Sequence, residues 1–512
     1  MTVTPSPDLA EETSYTIAIA DATDLAGNTI APDSWSFTTA GPPPPLPTEG
    51  PGGPIAVVTS GGNPFSGYFA EILRAEGLNE FTTLDVGDLT PSALTTFHTV
   101  IVGEIPLTAQ HAADLTAWVQ SGGNLIASRP DADLASLLGL TASGGGTLSE
   151  GYLAVDTSTA VGAGIESTTM QYHGAADRYT LSGGASAVAT LHSDASTATA
   201  NPAVTIRGVG SNGGQAAAFT YDLARSIVYT RQGNPAWDGQ ERDFADGIIR
   251  SNDLFFGGAQ TDWVDLTRVQ IPQADEQQRL LVNLIEVMNE DTMPIPRLWY
   301  FPDDHRAVVV ATGDDHANQG TTGRFDTYLA ADAPGCSAAD WECNRFSSYI
   351  YASTPIGDGT AAGYDAQDFE IGLHPTNGCS NYGSLQELRS TYGTDLATWS
   401  TNFPSLPSPV SNRFHCLVWS DWDSEAIVQG ENGMRLETNY YYWPGSWVND
   451  QPGFMTGSAM PQRFARTDGT MIDVYQAATQ MTDESGQSYP FTPDTLLDRA
   501  LGSEGYYGYF VA

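Results

Sequence analysis

Val308-Val309-Val310-Ala311-Thr312-Gly313-Asp314-Asp315-His316 is the stretch that decides the fold, because an apolar strand here delivers two carboxylates and an imidazole to one loop. Side chains of a strand alternate between faces, so two consecutive Asp share a pocket only where the strand ends and the chain turns. Gly313 is the residue that permits such a turn. Two carboxylates placed that way can divide labour, one ligating a cation while the other takes a proton from water. The plain alternative is an Asp-rich turn in an acidic protein, and Asp303-Asp304-His305 shows that the chain builds such triplets elsewhere.

Two further stretches repeat the plan. Phe369-Glu370-Ile371-Gly372-Leu373-His374-Pro375 is a short apolar strand ending in a ligand-type side chain, and Asn412-Arg413-Phe414-His415-Cys416-Leu417-Val418-Trp419 is predicted to be a third. Asp, His and His on successive strand ends make a three-ligand site with open positions for water, the arrangement of catalytic zinc. A lone His beside apolar residues is more often a core histidine, but here three of the eight His stand at strand edges of one region.

On these residues, 296–512 resemble the polysaccharide deacetylase family, carbohydrate esterase family 4 and its relatives. The resemblance implies a distorted (β/α) barrel. Thr312-Gly313-Asp314-Asp315 stands where the family has Thr-Phe-Asp-Asp, which implies Asp314 as catalytic base and Asp315 as metal ligand. His374 transfers as the second ligand. The family's His-Ser/Thr-x-x-His motif lacks its second His here, since Pro375-Thr376-Asn377-Gly378 follow, and His415 is the candidate third ligand with His316 as the alternative. Arg413 would orient the base. The resemblance further implies a divalent metal, Zn²⁺ by preference, an acetylated glycan as substrate, and metal-activated water as the attacking group. The family's late general-acid His has no counterpart, because no His follows His415. Gly505 to Ala512 reads as a strand still in progress, as expected of a truncated chain.

The N-terminal half differs. Tyr15 to Ile19 and Trp35 to Thr39 alternate like two strands around turn residues at Asp24 to Asn28, and they resemble the tail of a bacterial Ig-like domain over residues 1–40. The Pro/Gly-rich residues 41–54 make a semi-rigid linker. Over 55–292, strands at Ile55 to Thr59, His98 to Val102 and Asn124 to Ala127 alternate with helices at Gly67 to Glu76 and Thr108 to Gln120, so a doubly wound sheet is expected. That segment resembles a class I glutamine amidotransferase-like domain. No Cys precedes Cys336, which excludes the family's nucleophile and leaves a scaffold or binding role. Ala217 to Tyr221 and Ser226 to Tyr229 are predicted strands, with Asp222, Arg225 and Arg231 between them as salt-bridge formers, and Gln277 to Asn289 is an amphipathic helix.

Composition narrows the partners. All 20 basic residues are Arg, and 61 acidic residues bring the formal charge to −41. Such a surface repels nucleic acid phosphates and anionic lipid. No apolar run is long enough to insert in a membrane, and the expected location is secreted or extracellular. Cys336 and Cys343 are close in sequence, and Cys379 with Cys416 would tie the segments of His374 and His415; three pairings are formally possible, and two disulfides and an oxidising compartment are expected. Tyr441, Trp443, Trp447 and Trp419 belong to a dense aromatic run suited to stacking on sugar faces, with core packing the equal alternative. Against a deacetylase stand two other functions: a non-catalytic glycan-binding or adhesion protein, and a metal-dependent hydrolase of another ester or amide. Oligomeric state is open.

Overall fold

Short apolar runs such as Ile55–Thr59, Thr99–Val102 and Asn124–Ser128 form strands whose two-sided burial matches a parallel sheet covered on both faces. The computed structural model describes residues 13–20, 23, 29, 32–38, 50–242, 246–257, 261–301, 305–442, 453–454, 457–482, 493–502, 505 and 508–512. The chain forms two units, Met1–Glu49 and Gly50–Ala512. In the first, β1 (Ser14–Ile19) pairs antiparallel with β2 (Asp33–Thr38), as the alternation predicts; Asp24 to Asn28 lie outside the described residues.

The second unit opens with β3 (Ile55–Thr59), β4 (Phe81–Asp85), β5 (Thr99–Val102) and β6 (Asn124–Ser128). A two-stranded arm of β7 (Leu140–Ser149) and β10 (Ala175–Leu181) stands apart from the run of β8 (Tyr152–Val155), β9 (Met170–Gln171), β11 (Ser186–His192), β12 (Ala198–Val209) and β13 (Gly214–Phe219). The main sheet has the order β4-β3-β5-β6-β13-β12-β11-β8-β9. Its first five strands are parallel, and the doubly wound expectation holds for them. The remainder is antiparallel.

Ser226 to Tyr229, predicted as a strand, lies inside the helix Leu223–Gln232. Asp222 caps that helix by accepting a hydrogen bond from Arg225 N, and the apolar residues Leu223, Ile227 and Val228 face the core at helical spacing. A local cap and tertiary burial outweigh the strand preference of the Ile-Val-Tyr run. The second helix, Gln273–Asn289, contains the predicted one and starts four residues earlier.

The C-terminal part places β14 (Ala307–Val310), β15 (Thr312–Asp315), β16 (Ser347–Ile350), β17 (Glu370–Leu373), β18 (Ser411–Asn412), β19 (Leu436–Glu437), β20 (Gln462–Ala465), β21 (Met471–Gln476) and β22 (Gly508–Val511). One sheet runs β15-β16-β17-β18-β19-β21-β20, with all neighbours parallel except the last pair. β14 pairs in parallel with β22, which reaches back to this sheet through a Thr479–Val511 bridge and the bond from Thr312 N to Ala512 O. The predicted third strand is shorter than expected: β18 stops at Asn412, and His415–Leu417 forms a 3₁₀ turn.

The two sheets share one core. A single cluster of buried side chains runs from Tyr68, Phe69 and Ile227 to Trp419, Trp422, Tyr440 and Phe464. Across the same boundary Glu71 and Arg463 form a buried ion pair at 2.7 Å, and Tyr68 Oη donates to Arg463 O at 2.9 Å. Gln232 bonds both the N–H and the carbonyl of Ala465. The Asp275 carboxylate accepts from Ser458 N at 2.6 Å. Both expected disulfides, Cys336–Cys343 and Cys379–Cys416, are formed.

Candidate metal centre

Parallel strands bring their carboxyl ends to one side of a sheet, and the side chains that follow them converge there. Asp314 is the next-to-last residue of β15, Tyr351 follows β16, His374 follows β17, and Arg413 and His415 follow β18. The register explains the meeting: Asp314 faces Tyr349 in the ladder, His374 N donates to Ile350 O at 2.8 Å, and Arg413 N to Leu373 O at 3.3 Å. Two glycines keep these strands close. A Cβ on Gly372 would lie 2.8 Å from the Tyr349 ring and 2.9 Å from Ser411 Oγ. One on Gly313 would lie 2.8 Å from the Phe346 ring, so this glycine serves close packing rather than the turn expected of it.

The consequence falls on the two carboxylates. β15 runs straight through Asp315, so the pleat sends the Asp314 and Asp315 side chains to opposite faces, and the chain turns only at Ala317 and Gln319, whose φ are 61° and 67°. Asp315 is fully buried, and its carboxylate accepts from Asn318 N (2.9 Å), Thr321 N (2.9 Å) and Thr321 Oγ1 (2.7 Å). Burial pushes this carboxyl up, but those hydrogen bonds and the Arg324 charge more than offset it and hold it below the ordinary carboxylate range. Asp315 thus braces the loop. The ligand atoms that gather within 4.8 Å of one another belong to Asp314, His316 and His374. His316, the alternative third ligand, enters the cluster in the place expected for Asp315.

His374 carries the clearest chemical signature. Its residue is 1% exposed, Nδ1 lies 2.6 Å from Arg413 O, and Nε2 is buried with no hydrogen-bond partner among the described residues. The carbonyl accepts only, so the proton sits on Nδ1 and the lone pair on Nε2, the tautomer a metal ligand needs. Burial pushes the imidazole down to about 4 against the charge of Asp314, which keeps the ring neutral at ordinary pH.

His415 stands beside the cluster, its ring centroid 5.4 Å from that of His374 and 4.9 Å from that of His316. Its Nδ1 is 3.0 Å from Thr376 Oγ1. Burial and then the neighbouring His316 push it below the usual histidine range. Tyr351 closes the group, stacked on His374 at 5.3 Å and edge-on to His415 at 5.3 Å. Sequence reasoning passed over Tyr351; its place one residue past a strand end was the signal that could have found it.

Arg413 is 6% exposed and reaches Asp314 Oδ1 at 3.4 Å. It is fixed by bonds to Thr312 Oγ1 (2.7 Å), Thr479 Oγ1 (2.9 Å) and Thr438 O (3.3 Å). The Cys379–Cys416 bridge joins the loops after β17 and β18, with a Cα separation of 5.4 Å. Cys379, Cys416 and Leu417 all take left-handed φ, at 59°, 58° and 56°, which non-glycine residues adopt only when their surroundings hold them.

The expected sugar-stacking residues separate. Trp419 is fully buried, T-shaped to Tyr440 and stacked on Phe464, so it belongs to the shared core and not to a groove. Tyr441 is half-buried. Trp443 and Trp447 lie outside the described residues.

A bacterial Ig-like domain model matches residues 1–39. No curated protein matches the chain. Among solved structures, the exo-β-1,4-mannosidase Op5Man5 from Opitutaceae bacterium strain TAV5 is similar over 34% of this chain and 32% of its own, at 14% identity and a TM-score of 0.26. Agd3, described as a novel carbohydrate deacetylase, is similar over 90% of this chain and 79% of its own, at 12% identity and a TM-score of 0.33. The N-terminal domain of mmIFT52 is similar over 32% of this chain and 86% of its own, at 13% identity and a TM-score of 0.26. At these levels the structural likenesses carry no inference about activity. No helix among the described residues is long and apolar enough to cross a membrane.

Proposed function

We propose that this protein is a secreted metal-dependent hydrolase that removes acetyl groups from a glycan, with its reaction centre at Asp314, His316, His374, His415 and Arg413. The observation that carries the reading is the buried, unpartnered Nε2 of His374, aimed by its Nδ1 bond to the Arg413 carbonyl. A polar atom left bare in the interior costs about 1–3 kcal/mol unless something takes it up, and a divalent cation does so. The donor set of one carboxylate and two imidazoles suits Zn²⁺. When bound there, such an ion supplies Lewis acidity and lowers the pKa of a water ligand towards ~7.

The chain's own residues supply the rest. Asp314 would help to hold the cation, and its Oδ1 lies 3.4 Å from Arg413, whose planar guanidinium sets the carboxylate's orientation. His415, placed next to the cluster and tethered through Thr376, is positioned to carry a proton to or from the reacting group, which gives the late general-acid His of the resembled family a substitute within the described fold. Tyr351 packs against all three imidazoles and excludes water from one side. Asp315 acts at one remove, by fixing the loop that carries His316.

The test is metal content and acetate release from acetylated oligosaccharides by the parent chain, His374→Ala and Asp314→Asn. About one equivalent of zinc and released acetate in the parent, both lost in the variants, are expected. Metal retained without any acetyl release across glycan, ester and amide substrates would leave the glycan-binding reading in front.

A further inference from the structure

A cavity of about 940 Å³ opens at the outer edge of the nine-stranded sheet, between β8 and β9 and the segment 261–266. One wall is aromatic. The Trp263 ring stacks on His173 with centroids 4.0 Å apart and planes at 10°, and Trp237 stands edge-on to Trp263 at 6.3 Å. The half-buried Trp263 keeps part of its surface towards the cavity.

Three carboxylates, Glu150, Asp262 and Asp265, line the same space. Glu150 holds its place in a left-handed conformation, φ 50°, with one oxygen accepting from Gly174 N at 2.8 Å and the other 2.9 Å from His173 Nδ1. Asp265 accepts from Tyr152 Oη at 3.0 Å and from Thr267, and Asp262 accepts from Gly257 N at 3.1 Å. Tyrosine, threonine and backbone donors position a carboxylate without cancelling its charge. No Arg lines the cavity, but Arg242, stacked 3.6 Å over the Trp237 ring, offsets Asp262 in part, and Arg268 bonds the Thr267 hydroxyl that donates to Asp265. Flat rings beside three carboxylates, none of them ion-paired to an Arg among the described residues, in a concave site large enough for a sugar unit, match a ligand with an apolar face and a positive charge.

We propose that this cavity binds an amine-bearing sugar residue, its apolar face against Trp263 and its ammonium among Glu150, Asp262 and Asp265. The inference rests on the deacetylase reading for its biological sense, because removing an N-acetyl group leaves an ammonium on the sugar. A still-acetylated sugar gains nothing from the three carboxylates, and a uronic acid is repelled by them. The cavity therefore selects the portion of a glycan already processed.

Calorimetric titration of the full chain tests this, with fully deacetylated glucosamine tetramer, its fully acetylated counterpart and the linear polyamine spermidine. The deacetylated tetramer is expected to bind the parent and His374→Ala alike, about tenfold more tightly than the acetylated one. Trp263→Ala and Asp265→Asn should each lose about tenfold, and added salt should weaken binding. Circular dichroism checks the fold, and Asp262→Asn, half-buried at the rim, replaces any variant that unfolds. Equal affinity for both tetramers, or binding unchanged by the substitutions, overturns the proposal; so does spermidine binding that matches the tetramer and survives Trp263→Ala. Loss of acetate release in His374→Ala with tetramer binding intact separates this site's fate from that of the metal centre.

Discussion

The two large sheets of the second unit each present a cluster of charged side chains at the carboxyl ends of parallel strands, and the clusters have opposite chemistry. In the N-terminal sheet Arg129 pairs with Glu104 at 2.7 Å and Asp177 at 3.3 Å, while Arg225 pairs with Asp222 at 3.3 Å and lies 4.3 Å over the Phe65 ring. Asn63 completes the network through the Glu104 carbonyl and Arg225. Every cation there has an anion. In the C-terminal sheet Asp314 has one Arg partner, at 3.4 Å, and three imidazoles meet with a bare nitrogen among them. The same architecture that closes one crevice with ion pairs leaves the other short of a positive charge, so the location predicts a site while only the side chains decide whether it has chemistry left to do.

The largest effect that would sharpen this contrast is expected from His374→Ala, which should cost at least about 10²-fold in metal affinity and in turnover together. Metal affinity measured by competition with a chromophoric chelator checks it; an unchanged value would erase the difference between the crevices. Arg413→Lys should lower turnover about tenfold or more while metal stays bound, because an ammonium cannot reproduce bonds to Asp314, Thr312, Thr479 and Thr438 at once. Steady-state kinetics beside metal analysis separates the two.

A third expectation concerns protons. Glu425, in the C-terminal half, is fully buried with Oε1 accepting from Ser420 N at 2.6 Å and Oε2 without a partner among the described residues. Burial, then the charge of Asp421, pushes it up to about 8 from 4.5. A folded state that holds a proton more tightly than the unfolded chain is favoured at low pH. The contribution is fully present below pH 4.5 and is lost as pH rises towards 8. Denaturant unfolding should show a loss of about 2 kcal/mol over that window, flattened in Glu425→Gln. A parent and variant with parallel pH profiles would count against it. The smallest effect is expected at the closed crevice: Arg129→Ala should leave turnover unchanged and cost about 1 kcal/mol of stability or less, since its ion pairs are partly exposed. A large loss of activity would mean that the N-terminal crevice is not inert.

What could be read in the sequence was the set of strand ends. Apolar runs closing in Asp314, His374 and Arg413 have a period that survives folding, and the two disulfides followed from which loops the Cys occupy. What could not be read was orientation. Asp315 was expected beside Asp314, but the turn comes at Ala317 and Gln319, residues with no intrinsic preference for left-handed backbone, and the pleat therefore parts the pair. Trp419 and its neighbours are aromatic in a core and in a groove alike, and only the packing of a second sheet against them settles which. Ser226 to Tyr229 has strand composition, yet one capping Asp and a buried face turn it helical.

The buried Glu71–Arg463 pair gives the molecule a mechanical property. The proposed boundary near residue 292 divides the chain by pattern, but the charges of this pair lie on opposite sides of it, 2% and 5% exposed. Severing the chain there would strand an ion in each half without its counter-ion, a loss of about 3–5 kcal/mol for a buried pair broken on one side. Neither half is then expected to travel alone through recombination or to melt alone on heating: the lobe that carries the candidate metal centre and the lobe that carries the aromatic cavity are inherited, and lost, together.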